Sequence, residues 1–298
     1  MNHQLELHLE AFIASLDIRS SSKNTYQRQL KEFFLWSSRV KEESLSREHI
    51  IRYKDYLKTE QKLAAFTIGS YLTSVRRFFE WLETAHLHAN VARGIKGPNR
   101  KRGFKKDALT VDQVKMILSS IERKTLTGKR DFALINLMIR TGLRTIEIAR
   151  SLKEDVRKLG GETVLYIHGK GRDAKDELVV LTPATLEPLS DYIDARKSTH
   201  EDPLFASHST KNFGMALTTR SVSRIVKQRF KKVNLDDSRL TAHSLRHTAI
   251  TLSLLAGATA QEARSMARHA DINTTLIYAH NINRIKDAPE KKIDELLE

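Results

Sequence analysis

The chain has 298 residues, no cysteine, and 51 lysine and arginine residues against 36 aspartate and glutamate residues, which leaves a formal charge of +15. The absence of cysteine excludes disulfide bonds, thiolate catalysis and cysteine-based zinc sites. So large a positive charge exceeds what solubility requires, and it predicts a partner with dense negative charge, most commonly nucleic acid. A merely basic protein without such a partner is the alternative on charge alone.

The amino-terminal segment MNHQLELHLEAFIASL alternates acidic residues with leucines. It lacks the basic start and the uninterrupted apolar core of a secretory signal, so none is predicted. No run of apolar residues is long enough to cross a bilayer. We therefore expect a cytoplasmic protein with no membrane partner.

Four helical patterns occupy residues 1–95, each with apolar residues at steps of three and four. Ser46 and Thr67 precede the third and fourth patterns and are predicted helix caps. Because the connections are short, the patterns predict a small all-α domain. On its fourth helix, Arg76 and Arg77 are candidates for contact with a DNA backbone.

Residues 96–108 combine glycine, proline and a run of basic residues, and they form no apolar face. They are therefore predicted to be a linker between two domains. Its basic residues are Lys96, Arg100, Lys101, Arg102, Lys105 and Lys106. Such a run is either a solvated stretch of charge or a segment that follows a phosphate backbone, and the basic domains on both sides favour the second interpretation.

A second domain is predicted over residues 109–298. Thr110 and Gln113 form a capping box before VDQVKMILSSI, and DFALINLMIR is apolar enough to be a buried helix. The segments ETVLYIH and DELVVLT then favour two strands, joined as a β-hairpin by GKGRDAK with Lys170 at its tip. A helix beginning at Pro183 and a basic amphipathic helix, TTRSVSRIVKQRFKKV, are predicted next.

Three more helices are predicted towards the carboxyl end, before a last helix in the tail. The first covers about residues 242–256 and stops at Gly257, the second is capped by Thr259, and a short third begins at Asn273. The sequence thus predicts a mainly α (α+β) fold. It has an N-terminal four-helix domain and a C-terminal, mostly helical domain with a small antiparallel β-sheet.

Five motifs carry polar residues that fit no apolar face: RTGLRTIEI, HGKG, AHSLRHTAI, RHAD and TTLIYAH. A tyrosine that loses its proton to a base can attack a phosphodiester. The phosphorane oxygens then need bidentate donors, which arginines provide, and the departing oxygen needs a proton, which lysine or histidine can supply. These motifs therefore suit cleavage of DNA without a metal ion.

Taken in order over residues 109–280, the motifs resemble the tyrosine recombinase, or phage integrase, family, of the Xer-like or simple integrase type. The first domain is similar to that family's SAM-like, core-binding domain. The resemblance assigns roles around a scissile phosphate: Arg144 and Arg246 bind it, Lys170 protonates the leaving 5′ oxygen, His243 assists proton transfer from the nucleophile, His269 hydrogen-bonds the phosphate, Tyr278 forms a 3′-phosphotyrosyl bond, and Glu147 braces the site.

Each of these residues alone has a simpler interpretation. Arg144 and Glu147 suit a surface ion pair, and Lys170 suits a solvated turn. His243 and His247 have the spacing of metal ligands on a helix, but no third ligand is evident, so His247 is expected to pack or hydrogen-bond within the domain. Their common order within one family pattern favours the functional interpretation.

The sequence departs from the family pattern at two points. Where the family usually has LGH, this chain has Ala267, Arg268 and His269, which predicts ordinary helical backbone there and an extra phosphate contact from Arg268. Thr241 and Ala242 replace the commoner proline before the first histidine, and this leaves the start of that helix less rigid.

The resemblance implies a site-specific recombinase that breaks and rejoins double-stranded DNA without cofactor or metal. It also implies four protomers on two sites. The tail helix has Ile293, Leu296 and Leu297 on one side, and our hypothesis is that it docks on a neighbouring protomer. Two alternatives are a DNA-binding regulator with an inactive site, which would form no covalent product, and a type IB topoisomerase-like enzyme, which would act without sequence preference.

Overall fold

The computed structural model describes residues 5, 7–40, 45–99, 107–168, 175–197, 202–286 and 289–298, apart from the side chains of 281–286, 289, 291 and 292. The chain divides into two compact units, Met1–Arg102 and Gly103–Glu298. This division falls within the predicted linker, whose exact bounds remain a prediction. None of the described helices is both long and apolar enough to span a membrane.

The amino-terminal unit contains a bundle of helices around one aromatic core. The helices are α1 (Leu9–Ser15), α2 (Ser20–Arg39), α3 (Arg47–Thr59) and α4 (Ala65–Thr84). Buried rings meet edge to face at its centre, with the centroid of Phe33 5.0 Å from that of Tyr53 and the centroid of Phe12 5.4 Å from that of Phe78. Such contacts stabilise a small core beyond the area it buries.

The starts of these helices show how far local signals are reliable. Ser46 caps α3 as predicted, because its hydroxyl accepts a hydrogen bond from the amide of His49 at 3.3 Å. The predicted cap Thr67 is wrong, since α4 already begins at Ala65 after an extended Ala64. A capping hydroxyl is favourable but not required, because amides at an exposed helix start can bind water.

The carboxyl-terminal unit is mostly helical, with one small sheet. Its elements in chain order are α5 (Val111–Ser119), α6 (Leu126–Thr141), α7 (Thr145–Arg150), a 3-10 turn (Lys153–Asp155), β1 (Val156–Leu159), β2 (Glu162–Ile167), β3 (Glu177–Val180), α8 (Pro183–Arg196), α9 (Thr219–Lys232), α10 (Ala242–Leu255), α11 (Ala260–Ala267), α12 (Asn273–Lys286) and α13 (Pro289–Leu297). The predicted fold class is confirmed.

Helix α6 is the centre of this unit. It packs against α8 and α10, and its Leu134, Leu137 and Met138 are fully buried, as its apolar sequence predicted. At the start of the unit the amide of Leu109 donates to the hydroxyl of Thr248 on α10 at 2.8 Å, which ties the entering chain to the core. This packing fixes the carboxyl end of α6 close to α10, where several of the predicted site residues lie.

The sheet is an antiparallel meander with the order β1-β2-β3. The predicted hairpin of β2 and β3 is present, with Ile167 opposite Glu177, but Lys170 and the rest of residues 169–174 lie outside the described part of the chain. Sequence reasoning missed β1, because VRKL is exposed at three of its four positions and shows no apolar alternation.

The last helices differ in length from their predictions. Helix α11 begins with the predicted capping box, in which the hydroxyl of Thr259 accepts from the amide of Glu262 and the carboxylate of Glu262 accepts from the amide of Thr259. Helix α12 was expected to be short, but it runs for 14 residues. In α13, Leu296 and Leu297 are 83% and 79% exposed, so these apolar side chains are not covered within the described chain.

Candidate active site

The carboxyl end of α6 creates a tight turn that leads into α7. Gly142 ends α6 with φ of 65°, in the left-handed region that glycine adopts most easily. Arg144 then stands directly before α7, and the carboxylate of Glu147, one turn later, accepts from its amide and from its Nη1, both at 2.7 Å. Because Glu147 is fully buried, this pair holds Arg144 in place much more firmly than a surface ion pair would.

Arg246 reaches the same turn from α10. Only 2% of the residue is exposed; its Nη1 donates to the carbonyl of Gly142 at 2.7 Å, and its Nη2 donates to the carbonyl of Ala267. Burial, followed by the charges of Arg144 and Arg268, lowers the pKa of Arg246 to about 9. The guanidinium therefore stays charged at neutral pH in a buried site with excess positive charge, which favours binding of an anion.

Arg268 does not follow its prediction. Its φ of 56° and ψ of 48° place it in the left-handed region at the end of α11, so the expected ordinary helical backbone is wrong. Its side chain is 4% exposed and lies 2.9 Å from Glu147, between Nη2 and Oε2. It turns into the site because the carboxylate there is buried and attracts it, so in this arrangement it is not available for the predicted phosphate contact.

His269 and Tyr278 lie together beyond the end of α11. Nδ1 of His269 is 2.8 Å from the hydroxyl of the buried Thr275, which fixes the orientation of the imidazole. The ring of Tyr278 stacks on that imidazole with centroids 6.5 Å apart and is 5% exposed, packed with Ile250 and Ala267. The predicted nucleophile therefore lies inside the cluster of histidines and arginines.

The hydroxyl of Tyr278 forms a hydrogen bond with Nδ1 of His247. His247 in turn packs edge to face against His243, with ring centroids 4.7 Å apart, and His243 is exposed at the surface. The prediction that His247 makes a hydrogen bond within the domain thus has a specific partner. The imidazole that meets the phenol is His247, while His243 stands one ring further out.

Burial sets the protonation states of the tyrosine and histidines in this cluster. Burial raises the pKa of Tyr278 to about 12, against the smaller opposing effect of Arg246. Burial and then neighbouring positive charges lower the pKa values of His247 and His269 to about 4 each. Both imidazoles are therefore neutral at neutral pH, and the gap between their pKa values and that of Tyr278 keeps the proton on the phenol at rest.

The described residues contain no group of three or more histidine, aspartate or glutamate side chains arranged to hold a metal ion. His243 and His247 come together as two imidazoles, and Glu147 is occupied by arginines. The site therefore consists of guanidinium and imidazole groups around the phenol of Tyr278. That set is suited to an oxyanion such as a phosphodiester.

The predicted DNA-binding residues of the first domain differ in exposure. Arg76 is half-buried and donates to the carbonyl of Leu72, to Thr73 and to the carbonyl of Ile95, so its guanidinium is turned towards its own domain. Arg77 is exposed and donates to the hydroxyl of Tyr26 at 3.2 Å. Lys96 is exposed. Arg100, Lys101, Arg102, Lys105 and Lys106 lie outside the described residues.

Comparison with known families gives two matches that together cover most of the chain. The profile of the "Phage integrase family" matches residues 107–284, and that of the "Phage integrase, N-terminal SAM-like domain" matches residues 5–86. The chain belongs to the phage integrase family. The predicted resemblance is thereby confirmed.

Individual family members match the chain over nearly its whole length. A protein named tyrosine recombinase XerD from Listeria monocytogenes is 27% identical, over 96% of this chain and 97% of its own. A tyrosine recombinase from Pseudothermotoga lettingae is 28% identical, over 94% of this chain and 96% of its own. Family membership thus rests on both domains and not on the motifs alone.

Solved structures share the fold at low sequence identity. The XerH site-specific recombinase in a post-cleavage complex with a palindromic difH substrate aligns with a TM-score of 0.73 at 20% identity, over 97% of this chain and 85% of its own. A lambda integrase dimer on a COC′ core site aligns with a TM-score of 0.72 at 17% identity, over 93% and 76%. At these identities the likeness shows the fold.

Sequence reasoning missed two contacts that shape the site. Thr275 orients His269 from six residues away, and its only signal was a threonine pair at the start of α12. The carbonyl of Gly142 accepts from Arg246, a contact that spans 104 positions in the chain. The glycine itself, at the end of an apolar helix, was the visible signal for that turn.

Proposed function

We propose that the protein is a site-specific DNA recombinase that cleaves and rejoins strands through a 3′-phosphotyrosyl bond to Tyr278. The observation that carries this proposal is the position of the phenol, buried against His247 and His269 beside the guanidinium of Arg246. Membership of the phage integrase family supports DNA as the substrate and recombination as the outcome.

The proposed cleavage step is a transesterification. As the Tyr278 oxygen bonds to phosphorus, its proton passes to an imidazole, and the bond from phosphorus to the 5′ oxygen breaks. Arg144 and Arg246 bind the non-bridging oxygens, which gain negative charge in the transition state. The leaving 5′ oxygen takes a proton from Lys170, the role that the family resemblance implies for the hairpin lysine.

Rejoining reverses the same step with a different 5′ hydroxyl. That hydroxyl attacks the phosphotyrosine, and the phenol recovers its proton, so one phosphodiester is exchanged for another. Because the covalent intermediate keeps the energy of the bond it replaced, the reaction needs no nucleotide and no external energy. This chemistry uses the protein's own side chains for every proton transfer.

The test uses a pool of nicked duplexes with random sequence around the nick, which lose a short fragment when cleaved and so trap the covalent complex. Wild-type protein is expected to give a DNA adduct on a denaturing gel, and Tyr278→Phe to give none. Tyr278→Phe also leaves His247 without the phenol, which is expected to cost about 1 kcal/mol of stability. Thermal melting of the variant checks that it remains folded.

Three outcomes separate the candidate functions. Trapped DNA that shares one sequence supports a site-specific recombinase, and trapped DNA without sequence preference indicates a topoisomerase-like enzyme. DNA binding without any adduct indicates a regulator with an inactive site. An adduct that persists in Tyr278→Phe would assign the nucleophile to another residue and contradict the proposal.

We also propose that α13 docks on a neighbouring protomer in a tetramer on two DNA sites. Its support is the exposure of Leu296 and Leu297, which a partner surface would bury at about 1.5–3 kcal/mol for each side chain. Changing both to serine is expected to prevent assembly of two-site complexes in a gel-shift assay. Leu159→Ser, at an exposed leucine of β1, is the matched control, and equal assembly by both variants would exclude this role.

The linker and the exposed Lys96 and Arg77 are proposed to contact the DNA backbone, in keeping with the charge of +15. The structure gives less support for Arg76, whose guanidinium is engaged by carbonyls of its own domain. A cytoplasmic location remains a prediction that follows from a DNA substrate.

A further inference from the structure

Arg268 has a backbone conformation that is unfavourable for a residue with a side chain. Its φ of 56° lies in the left-handed region, where Cβ is crowded by the carbonyl group. The other described non-glycine residues with positive φ are Lys62, His86, Lys197 and Asn234. All four are exposed at the surface, whereas the side chain of Arg268 is 4% exposed. A buried arginine at such a position needs a structural or functional reason.

The contacts of Arg268 provide that reason. Its Nη1 donates to the carbonyl of Met266 at 2.6 Å, and its Nη2 donates to Oε2 of Glu147 at 2.9 Å, with the carbonyl of Gly142 at 3.5 Å. Its own carbonyl accepts from Nη2 of Arg144 at 3.3 Å. One residue thus connects the end of α11 with both the turn after α6 and the first turn of α7.

These contacts act on the two arginines proposed to bind the scissile phosphate. Glu147 uses one carboxylate oxygen for Arg268 and the amide of Arg144, and the other for the guanidinium of Arg144. Burial raises the pKa of Glu147, but the charge of Arg268, followed by the hydrogen bonds from Arg144, holds it below its usual value. Arg268 therefore helps keep this buried carboxylate ionised, and an ionised carboxylate is what orients Arg144.

We propose that Arg268 is a positioning residue: it fixes Glu147 and the Gly142 turn and thereby sets the geometry of Arg144 and Arg246 around a phosphate. The inference rests on the proposed function for its catalytic consequence. It differs from a direct phosphate contact, because the guanidinium is directed at protein acceptors. It also differs from a purely structural helix end, for which the side chain would not affect chemistry.

The experiment compares Arg268→Gly, which relieves the backbone and removes the guanidinium, with Arg268→Lys, which keeps a charge but not the planar fork. Lys197→Gly is the matched control, because Lys197 ends α8 with the same φ of 56° and is exposed. Both glycine variants gain the same freedom at a left-handed position. Differences between them therefore report the lost side-chain contacts of Arg268.

In the first assay, saturating protein cleaves nicked duplex and the initial rate of adduct formation is measured. Misplaced arginines are expected to lower the rate of Arg268→Gly by about 10- to 100-fold, with an intermediate rate for Arg268→Lys and a wild-type rate for Lys197→Gly. DNA affinity and its salt dependence should stay as in wild type. A slope of log K against log salt that falls by about 0.9 would instead indicate a phosphate contact and overturn the inference.

The second assay needs no DNA, so its result stands even if wild type forms no adduct. The wild-type stabilisation from Glu147 is present above its unfolded pKa of 4.5 and is lost as pH falls through the lower folded value. Without Arg268 the pKa of Glu147 in the folded protein rises. As pH is lowered, the urea concentration at the unfolding midpoint should therefore begin to fall at a higher pH in Arg268→Gly than in Lys197→Gly. Identical pH profiles for the two variants would overturn the inference.

Discussion

The contact of Tyr278 with His247 holds the proposed nucleophile in the folded protein. The phenol is buried with a raised pKa, and the imidazole beside it has a pKa lowered to about 4 by burial and then by the charges of His243 and Arg246. Because the pKa of the phenol is so much higher, the proton stays on Tyr278 at rest and can pass to the imidazole only as the phenol oxygen bonds to phosphorus. The same pair also links the site to the stability of the fold.

We expect the free energy of unfolding to decrease as pH is lowered from 6.5 to about 4, in part because of His247. The pKa of His247 is 6.5 in the unfolded chain and lower in the folded chain. As pH drops, the unfolded chain is therefore protonated first, and this stabilises it relative to the folded chain. This residue contributes a slope of up to ~1.4 kcal/mol per pH unit in that window. Urea unfolding of wild type and His247→Gln at several pH values measures it.

Glutamine keeps a polar partner for the phenol and removes the titration. The slope of His247→Gln should be shallower than that of wild type, while His269, whose pKa is also lowered to about 4, retains its own contribution. Equal slopes for the two proteins would show that the buried imidazole is not kept neutral in the folded state.

At the scale of elements, the left-handed end of α6 connects the fold to the site. Gly142 has φ of 65°, its carbonyl accepts from Arg246, and a Cβ added there would lie 3.4 Å from Cβ of Ala249. Gly160, in the turn between β1 and β2, has a similar φ of 58° with nothing within 4 Å of an added Cβ. The two glycines share a backbone requirement but differ in their surroundings.

Gly142→Ala and Gly160→Ala are each expected to cost about 1 kcal/mol of stability, because alanine is strained at positive φ. Only Gly142→Ala should also lower the cleavage rate, since it shifts a carbonyl that holds Arg246. Thermal melting and the adduct assay on both proteins test this. A cleavage rate in Gly142→Ala equal to that in Gly160→Ala would separate the turn from catalysis.

At the scale of the whole molecule, the charge of +15 implies binding that depends strongly on salt. Each phosphate contact contributes about 0.9 to the slope of log K against log salt. Lys96→Ala is expected to lower the slope by about one such step, and substitution of Arg100, Lys101 and Arg102 by alanine by about three. Binding isotherms at several salt concentrations measure the slopes.

The matched control is Lys158→Ala, an exposed lysine on β1 that is assigned no DNA contact. Its slope should equal that of wild type. If Lys158→Ala and Lys96→Ala lower the slope equally, the binding reflects general charge, and the linker has no particular part in it.

The elements themselves follow from local sequence. Apolar residues that recur every three or four positions indicated the helices. The capping boxes at Thr110 and Thr259 are found where the sequence predicted them. Alternation indicated β2, which is largely buried, and β3, but not the exposed β1. Patterns of this kind succeed because they depend on neighbours a few positions apart.

The order of the motifs, the excess of positive charge and the set of candidate site residues were therefore determined by the sequence itself. Tertiary packing alone decided which imidazole meets the phenol and which way Arg268 turns. The contacts responsible join residues 31 positions apart for Tyr278 and His247, and 121 positions apart for Arg268 and Glu147. Spacing along the chain does not encode such contacts, because they depend on how α7, α10, α11 and α12 pack within the folded domain.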